Sequence, residues 1–274
     1  MILKKELADA PGLSCVEKYF ISWLSRFTDI KKLYGSAFVS LAQVFGDFSR
    51  GATYQYYGYL PRLQEVAEEN GMVTHTYRPC SAADAMEILR SASDDTLCLM
   101  RVNTAFFTRF KRASWREDHY VCVNGDLEWI NEYPLSNGIF TAERFKEVFD
   151  GALCLYVAQD VTADVPDGVT DAFATQNCTV DKFPFGLNNL EWAIGVLRVT
   201  RKRMAVFFEN NRQVAQALCE EIELLDKVFF DIRMRQLKEK KGEKTDKSKA
   251  HAELCEKMQA VIAAEKRAME MLNQ

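Results

Sequence analysis

Histidine is scarce in this sequence, and the cysteines lack the spacing of a metal site. Only three histidines occur in 274 residues, and the eight cysteines contain no CxxC pair. Two of the histidines, His75 and His251, lie away from any such cluster. We therefore expect neither a zinc site nor a disulfide framework, and we expect the cysteines to be reduced and mostly buried as small apolar residues.

Long apolar runs and an excess of positive charge are also missing. Nowhere do about 18 consecutive apolar residues occur, the length that a membrane-spanning helix needs. The opening residues, MILKKELADAPG, contain a charged pair and no long apolar run. The formal net charge is −4, so the chain has no nucleic-acid footprint. These absences predict a cytoplasmic protein with neither a membrane nor a nucleic acid as partner.

The chain has enough apolar residues for a large core, and its character changes near residue 160. Hydrophobic residues make up 48% and aromatic residues 12%, which suffices for one large domain or two smaller ones. The segment Asp160–Gly168, DVTADVPDG, has the composition of a boundary. We expect an α+β domain over residues 1–160 and a helical bundle or cap over residues 161–274. Apolar residues at helical spacing predict long helices over 187–209, 212–237 and 249–273.

A tight antiparallel hairpin is the central feature of the first domain. Apolar and polar residues alternate over His119–Val123, a Gly-Asp pair follows, and a second alternating run covers Leu127–Asn131. In an antiparallel pair the start of the first strand lies opposite the end of the second. His119 is therefore expected within hydrogen-bonding reach of Asn131 or Glu132. Either group would orient the imidazole, and the amide of Asn131 is favoured.

Cys15 is the candidate nucleophile, and His119 is the candidate base that would take its proton. It follows a Pro-Gly break and precedes apolar residues at helical spacing, so it lies at or near a helix N-terminus. Unpaired N–H groups and the helix dipole favour an anion there, which predicts a lowered pKa for the Cys15 thiol. A cysteine at a helix start, a histidine on a strand about a hundred residues later and an Asn or acid on the next strand form a papain-like arrangement.

The segment from Cys15 to Pro134 resembles the cysteine-peptidase-like domain of the butirosin biosynthesis protein H family, a relative of the C39 bacteriocin-processing peptidases. The resemblance covers about half of the chain and rests on Cys15, GSAFVSLAQVFGDFSRG, LCLMRVNTAFF, and HYVCVNG followed by INEYP. It implies a papain-like (C39-like) fold with an N-terminal nucleophile helix and an antiparallel sheet. It also implies an acyltransferase of natural-product or antibiotic biosynthesis. Such enzymes move an acyl or aminoacyl group from the phosphopantetheine thioester of an acyl carrier protein to an amine, with no other cofactor.

Three other cysteines are weaker candidates for the nucleophile than Cys15. Cys80 also lies near a helix start, but the papain-like topology puts the nucleophilic helix before the sheet, and Cys80 follows a strand. Cys98 and Cys122 lie inside apolar strands and are expected to be inert.

The second hydrogen-bond donor for an oxyanion is not evident in the sequence. Papain-like enzymes commonly have a Gln a few residues before the cysteine, and Asp9–Ser14 contains neither Gln nor Asn. The Cys15 N–H supplies one donor. The candidates for the second donor are Asn103, Ser14 and the loop Gly46–Gly51.

Two aromatic segments have both a structural and a functional interpretation. Gly46–Gly58 is either part of the core or an acyl-binding groove. Asn103–Trp115 is either a solvated loop with aromatic anchors or a surface for an acidic carrier protein. The cations of this second segment are Arg109, Lys111 and Arg112, with Arg116 just beyond.

Three functions from different classes are compatible with these residues. The first is acyl transfer from a carrier-protein thioester to an amine, and the second is hydrolysis of a peptide or amide by the same residues. The third is a binding module that kept the fold and lost the chemistry, in agreement with the missing oxyanion donor. The helical second domain favours acyl transfer.

Overall fold

The computed structural model describes residues 13–36, 39–49, 62–103, 106, 119–132, 135–165, 187–243 and 247–272. The chain divides into two compact units. The first unit comprises Met1–Ile30 and Leu63–Asp164, and the second comprises Lys31–Arg62 and Val165–Gln274. The division proposed from the sequence, at residue 160, placed the whole of 1–160 in one domain. In the structure, Lys31–Arg62 belongs instead with the C-terminal helices.

The first unit is α+β, with four helices and an antiparallel sheet of six strands in its described part. The helices are α1 (Cys15–Leu24), α4 (Leu63–Glu69), α5 (Ala82–Ser91) and α6 (Ala142–Val148). The strands are β1 (Val73–Pro79), β2 (Thr96–Val102), β3 (His119–Val123), β4 (Glu128–Glu132), β5 (Leu135–Ile139) and β6 (Phe149–Ala158). The second unit contains α2 (Lys31–Ser36), α3 (Leu41–Ser49), α7 (Leu187–Phe207), α8 (Arg212–Lys240) and α9 (Lys247–Leu272).

The sheet is open and has the strand order β1-β6-β2-β3-β4-β5. The apolar run of β2 predicts a central strand, and this is confirmed because β2 pairs with β3 on one side and with β6 on the other. The strand β6 extends over Phe149–Ala158 and is longer than the apolar run 153–157 that indicates it in the sequence.

Helices cover both faces of the sheet. On the face covered by α1, the Phe20 ring packs edge-on against Tyr156 with ring centroids 5.3 Å apart. On the opposite face, Met100 of β2 packs with Leu89 of α5 and Phe145 of α6 in one buried cluster. Side chains alternate between faces along a strand, so each strand contributes to both layers of the core.

Short polar motifs cap the N-termini of two helices in the first unit. Ser81 caps α5 by accepting a hydrogen bond from the Asp84 N–H, and Asp84 returns one to the Ser81 N–H. This reciprocal arrangement is a capping box. Thr141 caps α6 in the same way by accepting from the Arg144 N–H. These caps fix where the two helices begin.

The β3–β4 hairpin is present, but its turn differs from the predicted tight Gly-Asp turn. The Leu127 N–H donates to the Asn124 carbonyl at 3.0 Å, and the residue with a left-handed backbone is Leu127, at φ 61°. A turn followed by a left-handed residue is a common longer hairpin connection. Gly125 is small for another reason: a Cβ there would lie 3.0 Å from the Leu89 carbonyl oxygen.

The second unit is helical in its described part and contains a buried ionic cluster. The three predicted long helices are confirmed as α7, α8 and α9, with ends shifted by a few residues. The guanidinium of Arg201 on α7 pairs with Glu221 of α8 at 2.9 Å and Glu265 of α9 at 2.7 Å. It also donates to the Val39 carbonyl at 3.0 Å. This one side chain therefore ties the segment before α3 to three C-terminal helices.

Several functional predictions fall on residues outside the described part of the chain. The proposed carrier-protein surface, Arg109, Lys111, Arg112 and Arg116, lies wholly outside it. Most of the predicted acyl groove also lies outside, since residues 50–58 of Gly46–Gly58 are not described. Within the described residues, no helix combines the length and the apolar character required to cross a membrane.

Candidate active site

Cys15 is the first residue of α1, directly after the capping residue Ser14. The Ser14 hydroxyl accepts from the Glu17 N–H, and a Glu17 carboxylate oxygen accepts from the Ser14 N–H at 2.8 Å. The other Glu17 oxygen accepts from the Leu63 N–H at 3.2 Å. Capping groups of this kind fix where a helix begins. The buried Glu17 side chain thus fixes the start of α1, and with it the position of Cys15.

His119 and Asn131 are joined by a hydrogen bond. The distance between His119 Nε2 and Asn131 Oδ1 is 2.7 Å, and Asn131 is only 1% exposed. The register pairs Cys122 with Ile130, so the two residues are diagonal neighbours on one face of the hairpin. An amide oxygen only accepts hydrogen bonds, so Nε2 carries the proton and Nδ1 of the neutral imidazole keeps its lone pair.

Glu132, the alternative partner of His119, has a different partner in the structure. Its side chain projects to the face opposite that of Asn131 because neighbouring residues of a strand alternate. There it forms an ion pair with Lys18 of α1, with Nζ and Oε2 2.9 Å apart. Of the two candidate orienting groups, the structure brings Asn131 to the imidazole and Glu132 to α1.

Tyr19 links α1 to both strands of the hairpin. Its hydroxyl donates to the Tyr120 carbonyl at 3.3 Å and accepts from the Glu132 N–H at 2.9 Å. The Tyr19 side chain is fully buried, so the two backbone groups would lack partners if the hydroxyl were removed. The linked strand positions directly follow His119 and Asn131 in the chain. Tyr19 therefore fixes α1 against the strand ends that carry the imidazole and the amide.

The Cys15 thiol lies against the backbone of β3 and near Glu132. Burial raises the pKa of the Cys15 thiol, and the negative charge of Glu132 raises it further. Hydrogen bonds from the backbone at Val16 and Tyr120 act in the opposite direction. The prediction of a lowered thiol pKa was therefore wrong. The helix start does favour the thiolate, but desolvation of the thiol outweighs it.

The Cys15 thiol contacts β3 at Tyr120, the residue that follows His119. The contact is with the backbone of Tyr120, whose side chain projects to the face opposite that of His119. The pKa of the thiol is set mainly by desolvation, by the charge of Glu132 and by hydrogen bonds with three backbone positions. The His119 imidazole is not among these causes. The structure thus brings Cys15 to the strand end that carries His119, while the direct side-chain contact of His119 is with Asn131.

The other candidate cysteines have surroundings that disfavour ionisation. Burial raises the pKa of Cys98 to about 11 and that of Cys122 to about 12, as expected for inert thiols in strands. Cys80 precedes the cap of α5, and desolvation followed by the Asp84 charge raises its pKa. Cys219 is an exposed thiol on α8.

Two of the predicted second oxyanion donors have other hydrogen-bond partners. The Asn103 side-chain amide donates to the Glu147 carbonyl at 2.6 Å, and the Ser14 N–H donates to Glu17. The described part of the loop Gly46–Gly51 belongs to the second unit. The backbone donors that lie beside the thiol are those of Cys15 and Val16 at the start of α1 and that of Tyr120 on β3.

Three residues of this site were not singled out in the sequence: Glu17, Lys18 and Tyr19. Glu17 could have been found, because Ser14 and Glu17 have the S-x-x-E spacing of a capping box. Lys18 and Tyr19 carry no such local signal, since their partners lie about a hundred residues later in the chain.

No metal site is found among the described residues, where no group of three His, Cys, Asp or Glu side chains could hold an ion. The chain matches no protein-family model, and no curated protein matches it. The assignment of a function therefore rests on the geometry around Cys15, His119 and Asn131.

Proposed function

We propose that this chain is a cysteine-dependent acyltransferase of natural-product biosynthesis. It would accept an acyl or aminoacyl group from the phosphopantetheine thioester of an acyl carrier protein, hold it on Cys15, and pass it to an amine. The observation that carries the proposal is the His119–Asn131 hydrogen bond at 2.7 Å, next to the Tyr120 backbone that contacts the Cys15 thiol. A cysteine at a helix start, in contact with the strand end that carries an oriented imidazole, suits covalent acyl transfer.

The first step exchanges one thioester for another. His119 Nδ1 takes the thiol proton, and the sulfur of Cys15 attacks the carbonyl carbon of the donor. The new C–S bond forms as the bond to the phosphopantetheine sulfur breaks, and His119 returns the proton to the departing thiolate. Backbone N–H groups at the start of α1 stabilise the oxyanion in between.

A thioester donor suits the surroundings of this thiol. The raised pKa of Cys15 keeps most of the thiol protonated near neutral pH. A thiolate leaves a thioester without first being protonated, so the exchange between two sulfurs is nearly balanced. Cleavage of an amide requires protonation of the leaving amine and a complete oxyanion hole. The described residues offer backbone donors at one helix start, which favours the easier reaction.

We also propose that the first unit is a papain-like variant of the α+β fold, with α1 as its nucleophile helix. This is supported by the chain order of the elements, in which the helix with Cys15 comes first, the strand with His119 second and the strand with Asn131 third. The cationic residues Arg109, Lys111, Arg112 and Arg116 are the proposed contact for the acidic carrier protein, because opposite charges steer association.

One observation favours a different class of function. A partly buried thiol whose pKa is raised by desolvation and by Glu132 is what a binding module of the same fold would retain after losing its chemistry. Such a module would keep the Tyr19 and Glu17 contacts, which stabilise the fold without requiring a reactive thiol. The alternative enzyme, a peptidase or amide hydrolase, would use the same three side chains.

The competition between amine and water for the acyl group separates these functions. Wild-type protein is incubated with an acyl-phosphopantetheine thioester, and a primary amine is then added while intact mass is followed. The transferase should lose its acyl mass faster with amine than in buffer and release the amide. Cleavage of amide substrates without amine preference would indicate the hydrolase, and absence of both reactions would indicate the binding module. Cys15→Ala is the matched control that should remain unmodified.

A further inference from the structure

The Glu132 carboxylate lies near the Cys15 thiol and already forms an ion pair with an ammonium group, that of Lys18. The Tyr19 hydroxyl links the Glu132 N–H to the Tyr120 carbonyl, and the thiol of Cys15 contacts the Tyr120 backbone. Glu132 projects to the face covered by α1. Its carboxylate therefore lies on the same side of the hairpin as the sulfur.

The ion pair with Lys18 shows what kind of ligand this carboxylate accommodates. The Lys18 ammonium lies 2.9 Å from Glu132 Oε2, and the two side chains are 21% and 9% exposed. Attraction between charges is stronger in such a partly desolvated position than in water. Lysine is a compact charge on a flexible stem, so its ammonium can move aside when another one arrives.

A neighbouring apolar side chain extends the same surface. Leu135 is the cross-strand partner of Glu132 and is 65% exposed. Covering this exposed apolar surface with an alkyl chain removes it from water, which is favourable. A carboxylate beside an exposed leucine matches a ligand with an ammonium group and an alkyl stem.

We propose that Glu132 binds the amine acceptor through its ammonium group, in the position that the Lys18 ammonium occupies in the structure. The substrate class is thus a primary alkylamine, with its alkyl stem against Leu135. This inference rests on the proposed function in that the bound amine is the one that receives the acyl group from Cys15.

The transfer step follows from that position. The ammonium loses one proton to solvent and stays bound through hydrogen bonds from its remaining N–H groups to Glu132. The amine nitrogen then attacks the carbonyl carbon of acyl-Cys15. The C–N bond forms as the C–S bond breaks, and a second amine proton passes to the cysteine sulfur.

Binding can be measured without any acyl chemistry. The probe is n-butylamine, with uncharged n-butanol as its counterpart, and binding to the Cys15→Ala protein is followed by ligand-observed NMR titration. We expect saturable binding of the amine, loss of roughly 10- to 100-fold in affinity in Cys15→Ala/Glu132→Gln, and no comparable binding of the alcohol. Glu128→Gln is the matched control, because Glu128 is an exposed glutamate on the same strand and face.

Lys18→Met gives the opposite arm of the same test. Removal of the competing ammonium should tighten amine binding, whereas loss of a merely structural ion pair would not. The Tyr19 hydroxyl holds the Glu132 backbone and not its side chain, so both variants keep that contact. Circular dichroism and thermal unfolding check that they fold.

The acyl-discharge assay completes the experiment. Once acyl-Cys15 has formed in Glu132→Gln, the amine concentration for half-maximal discharge should rise by a similar factor relative to wild type. Equal amine affinity in Cys15→Ala and Cys15→Ala/Glu132→Gln overturns the inference, even if acyl-Cys15 forms. If no acyl-Cys15 forms in wild type, the proposed function fails, and the NMR titration still decides whether Glu132 is an ammonium site.

Discussion

Nε2 of His119 lies 2.7 Å from Oδ1 of Asn131, and this hydrogen bond determines which imidazole nitrogen is available as a base. Because the amide oxygen can only accept, the proton is on Nε2 and the lone pair is on Nδ1. The amide itself is 1% exposed, so water does not compete for the contact. An imidazole held in one tautomer is what a general base requires.

Asn131→Ala should reduce the rate of Cys15 acylation by roughly 10²-fold, because the imidazole loses the group that fixes its tautomer and orientation. The measurement is single-turnover acylation by a phosphopantetheine thioester. NMR of the His119 ring nitrogens should show a mixture of tautomers in the variant and one tautomer in wild type.

Asn137→Ala serves as the control for that variant. Asn137 lies on β5, pairs with Ile130 of β4 and projects to the face opposite that of Asn131. The Asn137→Ala variant should therefore be acylated at the wild-type rate. If Asn131→Ala acylates as fast as this control, Asn131 has no part in the mechanism.

Glu132→Gln should lower the pKa of the Cys15 thiol, because the Glu132 charge is one of the two causes that raise it. The rate of Cys15 alkylation by iodoacetamide, plotted against pH, should move to lower pH. Lys18→Met should move it to higher pH, since the Glu132 charge is then less compensated. Peptide mapping assigns the label to Cys15.

Glu128→Gln removes an exposed charge from the same strand and should leave the profile in place. An unchanged profile in Glu132→Gln would mean that Glu132 does not act on the thiol. Cys219 should label before Cys15 in all of these proteins near neutral pH, because it is exposed on α8 and the Cys15 thiol is desolvated.

Features encoded by neighbouring residues could be predicted from the sequence. Ser81 and Asp84 form their capping box as the spacing indicates, and the alternation around Cys122 correctly predicts the β3–β4 pairing. The pairing in turn made a contact between His119 and Asn131 foreseeable. The strand β5, LSNGI, was missed because it is short and contains a glycine, a residue that strands disfavour.

Features set by distant residues could not be predicted in this way. The contact of Arg201 with the Val39 carbonyl is part of what places 31–62 in the second unit, and no local pattern encodes it. The sign of the Cys15 pKa shift was missed for the same reason. It depends on burial by the folded chain and on Glu132, and these outweigh the helix start that the sequence reveals.

Stability of the second unit should depend on pH through Glu221. Burial raises the pKa of Glu221 well above 4.5, and the nearby Glu265 carboxyl adds to the effect. Between pH 4.5 and the raised pKa, Glu221 is protonated in the folded protein and ionised in the unfolded chain. The stabilisation that the protonated Glu221 contributes to the free energy of unfolding is therefore fully present below pH 4.5. That contribution is lost as pH rises through the folded pKa. Glu221→Gln should flatten this dependence in thermal unfolding measured across pH.

Glu223→Gln is the control for this prediction, since Glu223 is exposed on the same helix and should leave the dependence unchanged. Arg201→Met should lower the free energy of unfolding by about 3–5 kcal/mol, because it leaves two buried carboxyl groups without their cation. A loss well under 1 kcal/mol in chemical denaturation would contradict the role of Arg201 as the centre of the cluster.

Formation of an acyl-Cys15 intermediate is tested most directly by intact-mass measurement followed by peptide mapping. Wild-type protein incubated with several acyl-phosphopantetheine thioesters should gain one acyl mass, located on the peptide that contains Cys15. The gain should be absent in Cys15→Ala and should appear faster as pH rises, because the fraction of thiolate increases. An unmodified wild-type protein, or an adduct that forms at the same rate in Cys15→Ala, would contradict the proposed mechanism.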